Sequence, residues 1–217
     1  YTPKIRMRQS LFAHQAIYKQ GGAPGTASGD WVRRQRVQLD SLYVPFGHGF
    51  VDWYPRFFKT HPEYFALQPN GTRDDKGDRE CDAKLCDSNP AVWDQWLRDV
   101  ADIIEKNPHR RVFIASFNDG FGRGYCVCEK CRAWDSPEAE HRVIMYDDTK
   151  INGYAMSDRQ VMLANMLARK LKEKYPDKDY LVQIRASGFC RPAPIKAVPD
   201  DNVVIVNCAA FLMDPDA

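Results

Sequence analysis

No apolar segment of this chain approaches the roughly 18 residues needed to cross a bilayer, which excludes a transmembrane helix. Runs of like charge are missing too. The 31 Lys and Arg interleave with 29 Asp and Glu, for a net charge of +2, so neither a basic arm for nucleic acid nor an acidic tail is supported. The only basic cluster, Arg33, Arg34 and Arg36, fits a solvated helix face. No internal repeat or low-complexity tract appears, which removes repeat architectures. The amino-terminal YTPKIRMRQS lacks the apolar centre of a signal peptide, so such a peptide has been removed already or never existed. Compartment has to come from elsewhere.

What the sequence does have is the makings of a core. At 217 residues and 44% hydrophobic content, the chain suits one domain, 1–217, with a substantial interior. Aromatics are plentiful at 12%. Trp31, Trp53, Tyr54, Tyr125 and Trp134 fall in loops or at strand ends, where flat rings either stack on sugar faces or fill the core.

Read in order, Lys4 to Gln9 alternates Ile5 and Met7 with basic residues and predicts a first strand. Leu11 to Asp30 is an aperiodic, glycine-rich loop, of a length that is usually functional or disordered. Trp31 to Leu42 has helical spacing with Asp30 as N-cap, and Val44 to Val51 reads as a second strand entering Gly47-His48-Gly49. Between those glycines the His48 imidazole is accessible to a ligand, although a plain turn fits equally. Tyr54 to Lys59 and His61 to Leu67 read as short helical pieces with Pro55 and Pro62 near first-turn positions. Asn70-Gly71 signals a turn, and with Thr72 it also fits an N-glycosylation acceptor, which matters only in a eukaryotic secreted protein. Thr72 to Lys84 reads as a charged surface loop. Asn89-Pro90 starts a helix, Asn89 capping and Pro90 in the first helical position, and Val92, Trp93, Trp96, Leu97, Val100, Ile103 and Ile104 form its apolar stripe. Polar sequence follows Trp134 up to Gly153. Ser157 with Gln160 three residues on predicts a capping box, opening a helix buried along Leu163, Leu167, Leu171 and Tyr175. Leu181 to Ile184 and Val203 to Val206 are two further strands.

The stretch from Arg111 to Cys131 carries the functional signal. Val112, Phe113, Ile114 and Ala115 are apolar without alternation, as in a strand covered on both faces. Asn118 and Asp119 stand at its carboxyl end, where α/β folds place ligands and catalytic groups. Gly120, Gly122 and Gly124 let the main chain approach a substrate closely. The plainer reading is that Asn-Asp-Gly is an Asx-turn. Strands alternating with helices argue for parallel pairing. About five strands are too few for a closed eight-stranded barrel, so an open α/β sheet or an incomplete (β/α) barrel of TIM type fits, and the incomplete barrel is the preferred reading.

Cys126, Cys128 and Cys131 form C-x-C-x-x-C, with Cys81 and Cys86 upstream. Three thiols this close suit one tetrahedral ion, with Cys86 the first candidate for a fourth ligand; four thiolates would make it structural. Disulfides, favoured in an exported protein, and free thiols stay open beside zinc. Cys190 and Cys208, at the ends of the last two strands, read as buried apolar fillers.

His61-Pro62-Glu63-Tyr64-Phe65-Ala66-Leu67, Leu85-Cys86 followed by Ser88-Asn89-Pro90, and Asn118-Asp119-Gly120 leading to Cys126-Val127-Cys128-Glu129-Lys130-Cys131 together resemble the bacterial domain of unknown function family 4838. That family is similar to glycoside-hydrolase TIM barrels, and some relatives are classed as endo-β-N-acetylglucosaminidases. The resemblance implies an exported protein with further domains. It also implies hydrolysis of N-acetylhexosamine-containing glycans assisted by the substrate's acetamido group, with no cofactor for catalysis. That chemistry needs one carboxyl group as acid/base and another to orient the acetamide. Asp119 is the expected catalytic carboxylate, Asn118 a sugar-hydroxyl ligand, and His48, Trp134 and Arg185 pocket walls. Asp147, Asp148 or a residue outside the chain would supply the second carboxylate. A non-catalytic glycan-binding module and a zinc-dependent interaction module are the rival functions.

Overall fold

The computed structural model describes residues 47–73, 82–120 and 122–208, all within one compact unit, Pro45–Ala217. The expected strand Lys4–Gln9, the loop Leu11–Asp30, the helix Trp31–Leu42 and Cys81 lie outside these residues. Helix α1 (Trp53–Phe57) and a single 3-10 turn (Pro62–Tyr64) lead to the long helix α2 (Pro90–Lys106) and strand β1 (Val112–Ile114). After the short helix α3 (Glu129–Arg132) come strands β2 (His141–Met145) and β3 (Lys150–Tyr154), then helix α4 (Ser157–Lys174). Strand β4 (Leu181–Ala186), a 3-10 turn (Gly188–Cys190) and strand β5 (Val203–Asn207) complete the described chain. Among the described residues no helix is long and apolar enough to cross a membrane.

The parallel pairing expected from the strand–helix alternation is present. One sheet has the order β1-β4-β5, with Val112 beside Leu181 and Val182 beside Val203, both pairings parallel. Strand β4 is central, and Val182, Gln183, Ile184 and Arg185 are buried in succession, the unbroken burial of a strand covered on both faces. Helix α2 starts as its sequence dictates: the Asn89 side chain accepts a hydrogen bond from the Ala91 N–H, and Pro90 occupies the first turn. Its Val92, Trp96 and Val100 enter the core, and the Trp96 indole donates to the Ile114 carbonyl across 2.9 Å, locking helix to sheet. Helix α4 buries Leu163, Leu167 and Leu171 in the same core. Each such side chain contributes about 2 kcal/mol from burial alone.

Four local expectations are corrected. Residues 47–51 form no strand; the segment runs irregularly against the continuation of β1, with Gly49 N–H donating to Ser116 O across 2.9 Å. A Cβ on Gly49 would lie 2.9 Å from the Ile114 carbonyl oxygen, so this approach of two backbones excludes a side chain. His61 to Leu67 is helical for one turn only, because Phe65 leaves to bridge Leu85. The polar stretch before Gly153 is an antiparallel hairpin, β2 with β3, pairing His141 with Tyr154 and Met145 with Lys150. The capping box at Ser157 does not form. Met156 is the N-cap, the Ser157 hydroxyl donates to Pro192 O across 2.5 Å, and Gln160 turns into the interior.

Candidate functional site

Because β1, β4 and β5 are parallel, their carboxyl ends open on one side. The segments leaving those ends line a cavity of about 620 Å³: Ser116 to Asp119 after β1, Ser187 to Arg191 after β4 and Cys208 after β5. The crevice at the carboxyl edge is where α/β sheets bind ligands. The Gln160 amide, in the orientation that satisfies both neighbours, accepts from Phe117 N–H (3.3 Å) and donates to Arg185 O (2.9 Å), tying the two strand ends together.

Asp119 sits on the rim with 60% of its side chain exposed, and its Oδ2 lies 2.9 Å from His48 Nε2. His48 Nδ1 lies 2.6 Å from the Phe117 carbonyl oxygen, which can only accept, so Nδ1 carries the hydrogen. With Nδ1 so held, Nε2 faces both the Asp119 carboxylate and the Arg185 guanidinium. Arg185 Nη2 lies 2.8 and 2.6 Å from the two ring nitrogens. Three residues predicted from separate parts of the sequence, His48, Asp119 and Arg185, thus meet at one point.

Asn118 lines the same cavity, yet its amide is engaged by backbone. It accepts from Phe50 N–H (3.2 Å) and donates to the carbonyls of Phe50 (3.0 Å) and Ala83 (2.9 Å), buried at 5% exposure. It therefore fixes the wall rather than reaching sugar hydroxyls. Trp134 is not in the wall; it stacks on Trp93 of α2 at 6.3 Å between ring centroids. Asp147 pairs with Arg123 on the hairpin, and neither it nor Asp148 lines the cavity.

The apolar part of the wall is aromatic, with Phe117, Tyr125 and Phe189. Tyr125 stacks on Phe189 at 5.8 Å and packs against Phe117 at 5.9 Å. Gly122 makes room for this arrangement. Its φ is +80°, and a Cβ there would fall 2.2 Å from the Phe189 ring.

Several wall residues escaped the sequence reading, Glu140 and Lys84 among them. Glu140 hides in polar sequence and is bound by Arg142 Nη2 at 2.8 Å. The short apolar run Val143-Ile144-Met145, followed by the turn residues Asp147-Asp148, was the available signal for that hairpin. Lys84 closes the segment read as a surface loop, yet it is 5% exposed. Its ammonium donates to the carbonyls of Asp82 and Asp119 and stands 5.5 Å over the Tyr125 ring. Burial pushes it down to about 8, against the pull of the carboxylates of Asp82 and Asp119. Only its position directly before the apolar Leu85 hinted at burial.

Beside the cavity loop, the sulfur atoms of Cys86, Cys126, Cys128 and Cys131 all lie within 4.8 Å of one another. Cys86 Sγ is 3.8 Å from that of Cys128 and 3.9 Å from that of Cys131. These spacings match a tetrahedron of thiolates around one ion, whose bonds of about 2.3 Å separate the sulfurs by about 3.8 Å. No disulfide links the four cysteines. Donors surround them: Leu67 N–H reaches Cys126 Sγ (3.2 Å), Ser88 N–H reaches Cys131 Sγ (3.3 Å) and Cys131 N–H reaches Cys128 Sγ (3.4 Å). Hydrogen bonds with Cys126 and then Cys131 hold the Cys86 thiol down at about 4, while hydrogen bonding with Cys131 and Cys86 pushes Cys126 up. Behind the cluster, fully buried Arg159 forks onto Asp135 (2.8 and 2.6 Å) and donates to Cys126 O (2.9 Å). Although burial opposes it, the Asp135 carboxylate raises the Arg159 guanidinium further.

A parallel α/β sheet with a polar, aromatic-walled cavity at its carboxyl edge and a four-cysteine cluster under the same loop defines the class of protein. The sequence profile of one family, described as a domain of unknown function (DUF4838), matches residues 2–214, and the chain belongs to that family. No curated protein and no solved structure matches it.

Proposed function

We propose that this domain is a glycoside hydrolase-like module acting on N-acetylhexosamine-containing glycans outside the cytoplasm. The three parallel strands are read as a sector of a (β/α) barrel of TIM type. One observation carries the reading: Asp119 stands on the rim of a 620 Å³ cavity, hydrogen-bonded to His48, with aromatic rings in the wall. Sugar rings present apolar faces that stack on such rings. Asp119 delivers a proton to the leaving glycosidic oxygen, and recovers one when water completes the reaction. The Phe117 carbonyl holds the His48 ring in place beside it. Glu140 supplies the second carboxylate, orienting the acetamido group whose oxygen attacks the anomeric carbon.

The same geometry supports a rival reading. Glu140 is already held by Arg142 at 2.8 Å, and Asp119 is largely exposed; both suit a module that binds glycans without cleaving them. Release of reducing ends from an N-glycan or chitobiose substrate separates the two. In the hydrolase, Asp119→Asn lowers the rate by about a hundredfold or more, the usual weight of a general acid. Cleavage by that variant at near wild-type rate would remove Asp119 from the mechanism.

The cysteine cluster completes the proposal as a structural zinc site, with Cys86, Cys126, Cys128 and Cys131 as ligands. Four sulfurs leave no open position for water, so the ion supplies no chemistry and serves to clamp the loop that carries the cavity wall.

A further inference from the structure

The four-cysteine cluster brings together two stretches of chain, Cys86 from the segment leading into α2 and the other three from the loop after β1. Cys86 and Cys128 are 42 positions apart in sequence, and their sulfurs are 3.8 Å apart in space. Both backbones are fixed. The Cys86 N–H donates to Tyr64 O across 2.8 Å and its carbonyl accepts from Asn89 N–H across 2.9 Å, while the Cys128 carbonyl accepts from Arg132 N–H across 3.0 Å. The sulfurs differ in access and in what holds them. Cys86, Cys126 and Cys131 are buried, whereas Cys128 is partly open. Cys131 Sγ takes the Ser88 N–H and lies 3.1 Å from the Ser88 hydroxyl, and Cys126 Sγ takes the Leu67 N–H. Among the described residues Cys86 Sγ takes no backbone N–H and meets only other sulfurs. A disulfide holds its sulfurs about 2.05 Å apart, so about 1.8 Å separates the Cys86–Cys128 contact from a bond.

We propose that the cluster is also an oxidation site: without an ion, a low-molecular-weight disulfide such as oxidised glutathione converts Cys86 and Cys128 into a cross-segment disulfide that takes over the clamp. The inference stands apart from the glycan reading and uses only the arrangement of the sulfurs. Cys128, the accessible one, reacts first. Its thiol gives a proton to solvent, its sulfur attacks one sulfur of the small disulfide, and one glutathione leaves as a thiolate that takes up a proton. Cys86 then loses its proton in the same way, attacks the Cys128 sulfur of the mixed disulfide and expels the second glutathione. Two protein thiols are oxidised, and one small disulfide is reduced to two thiols. An ion on the four sulfurs blocks the first step, because their electron pairs are committed to the metal. The clamp thus has a metal form and a covalent form, the second suited to the oxidising conditions outside the cytoplasm.

The test uses the full chain, stripped of metal by a chelator under reducing conditions, freed of reductant and incubated with oxidised glutathione. Remaining thiols are then alkylated and the peptides mapped by mass spectrometry. Most of the protein is expected to carry Cys86 joined to Cys128, preceded by a transient glutathione adduct on Cys128. Cys86→Ser should stop at that adduct, and the wild-type time course carries the test if the variant fails to fold. The oxidised form should melt about 5 °C or more above the reduced, metal-free form and lose the advantage on reduction. Zinc added before the oxidant should slow the link about tenfold or more. A link from Cys128 to Cys131, a link from Cys86 to Cys81, an adduct that persists on wild-type Cys128, or thiols that stay open to alkylation would each overturn the assignment. An oxidised form that melts no higher, or a rate that zinc leaves unchanged, would overturn the exchange of one clamp for the other.

Discussion

A methyl group at position 122 has nowhere to go. With φ at +80° the residue already sits where a side chain costs about 1 kcal/mol or more, and the added carbon would fall 2.2 Å from the Phe189 ring. Gly122→Ala must therefore either strain the loop or swing Phe189 off Tyr125, breaking the aromatic wall. The expected outcome is a loss of about 2 kcal/mol in urea unfolding together with weaker glycan binding. Unchanged binding would show that the wall does not contact the sugar. At this scale the sequence revealed residue type and position along the chain but not the direction a side chain takes. His48 and Asp119 were found because a glycine-flanked loop and a strand end point to one crevice, whereas Arg185 came only with the family resemblance. Asn118 occupies the same strand end, but three backbone groups of Phe50 and Ala83 claim its amide. Those partners stand 68 and 35 positions away, out of reach of any local pattern.

Elements were legible where local chemistry fixes their ends. Helix α2 begins at Pro90 because Asn89 caps it, and the residues predicted for its apolar stripe do face the core. Helix α4 opens at Ser157 as expected, but its cap was misread, since its first turn is organised by a distant segment instead of a capping box. Asp158 in that turn accepts hydrogen bonds from the N–H groups of Ile195 (3.0 Å), Lys196 (2.7 Å) and Ala197 (2.7 Å). Burial pushes its carboxyl upward, but the amides of Ala197, Ile195 and Lys196 outweigh it and hold the group below the usual carboxylate range. The charge also lies at the helix amino terminus, where the dipole favours it. Asp158→Ala leaves three amides without their acceptor and is expected to cost about 2–3 kcal/mol at neutral pH. The sign of the pH dependence follows from the lowered value. Asp158 contributes its full stabilisation above about pH 4, the unfolded carboxylate value, and loses it as pH falls through the lower folded value. The gap between wild type and variant in thermal melts is therefore constant from pH 7 to about pH 5 and narrows towards pH 2. A gap that stays constant to pH 2 would mean that the carboxylate's charge plays no part.

At the scale of the molecule, the cavity loop is tied to the hairpin through Gly124 N–H on Met145 O and the Tyr146 hydroxyl on Tyr125 O, and the cysteine cluster adds a second set of ties. Cys86 lies just before α2, the other three cysteines follow β1, and Leu67 and Ser88 donate to their sulfurs. Through Cys126 O the cluster reaches Arg159 of α4, and through Trp134 on Trp93 it reaches α2 again. One ion bound by these four sulfurs would join both long helices to the loop bearing Asp119. The spacing C-x-C-x-x-C pointed to the cluster and to Cys86, but only the fold shows that the clamp and the cavity share a loop. Protein prepared without added zinc is expected to contain about one equivalent of metal, and less than roughly a tenth would exclude a tight structural ion. Removing the ion with a chelator under reducing conditions leaves four sulfurs crowded within 4.8 Å without the cation that joins them. The melting temperature should then fall by about 5–10 °C, the shift that a loss of a few kcal/mol produces in a chain of this size. Glycan binding should weaken in parallel and return when zinc is restored, and Cys131→Ser should reproduce the loss without recovery. A chelated protein that melts lower yet binds glycans as before would separate the clamp from the cavity, leaving the ion a role in stability alone.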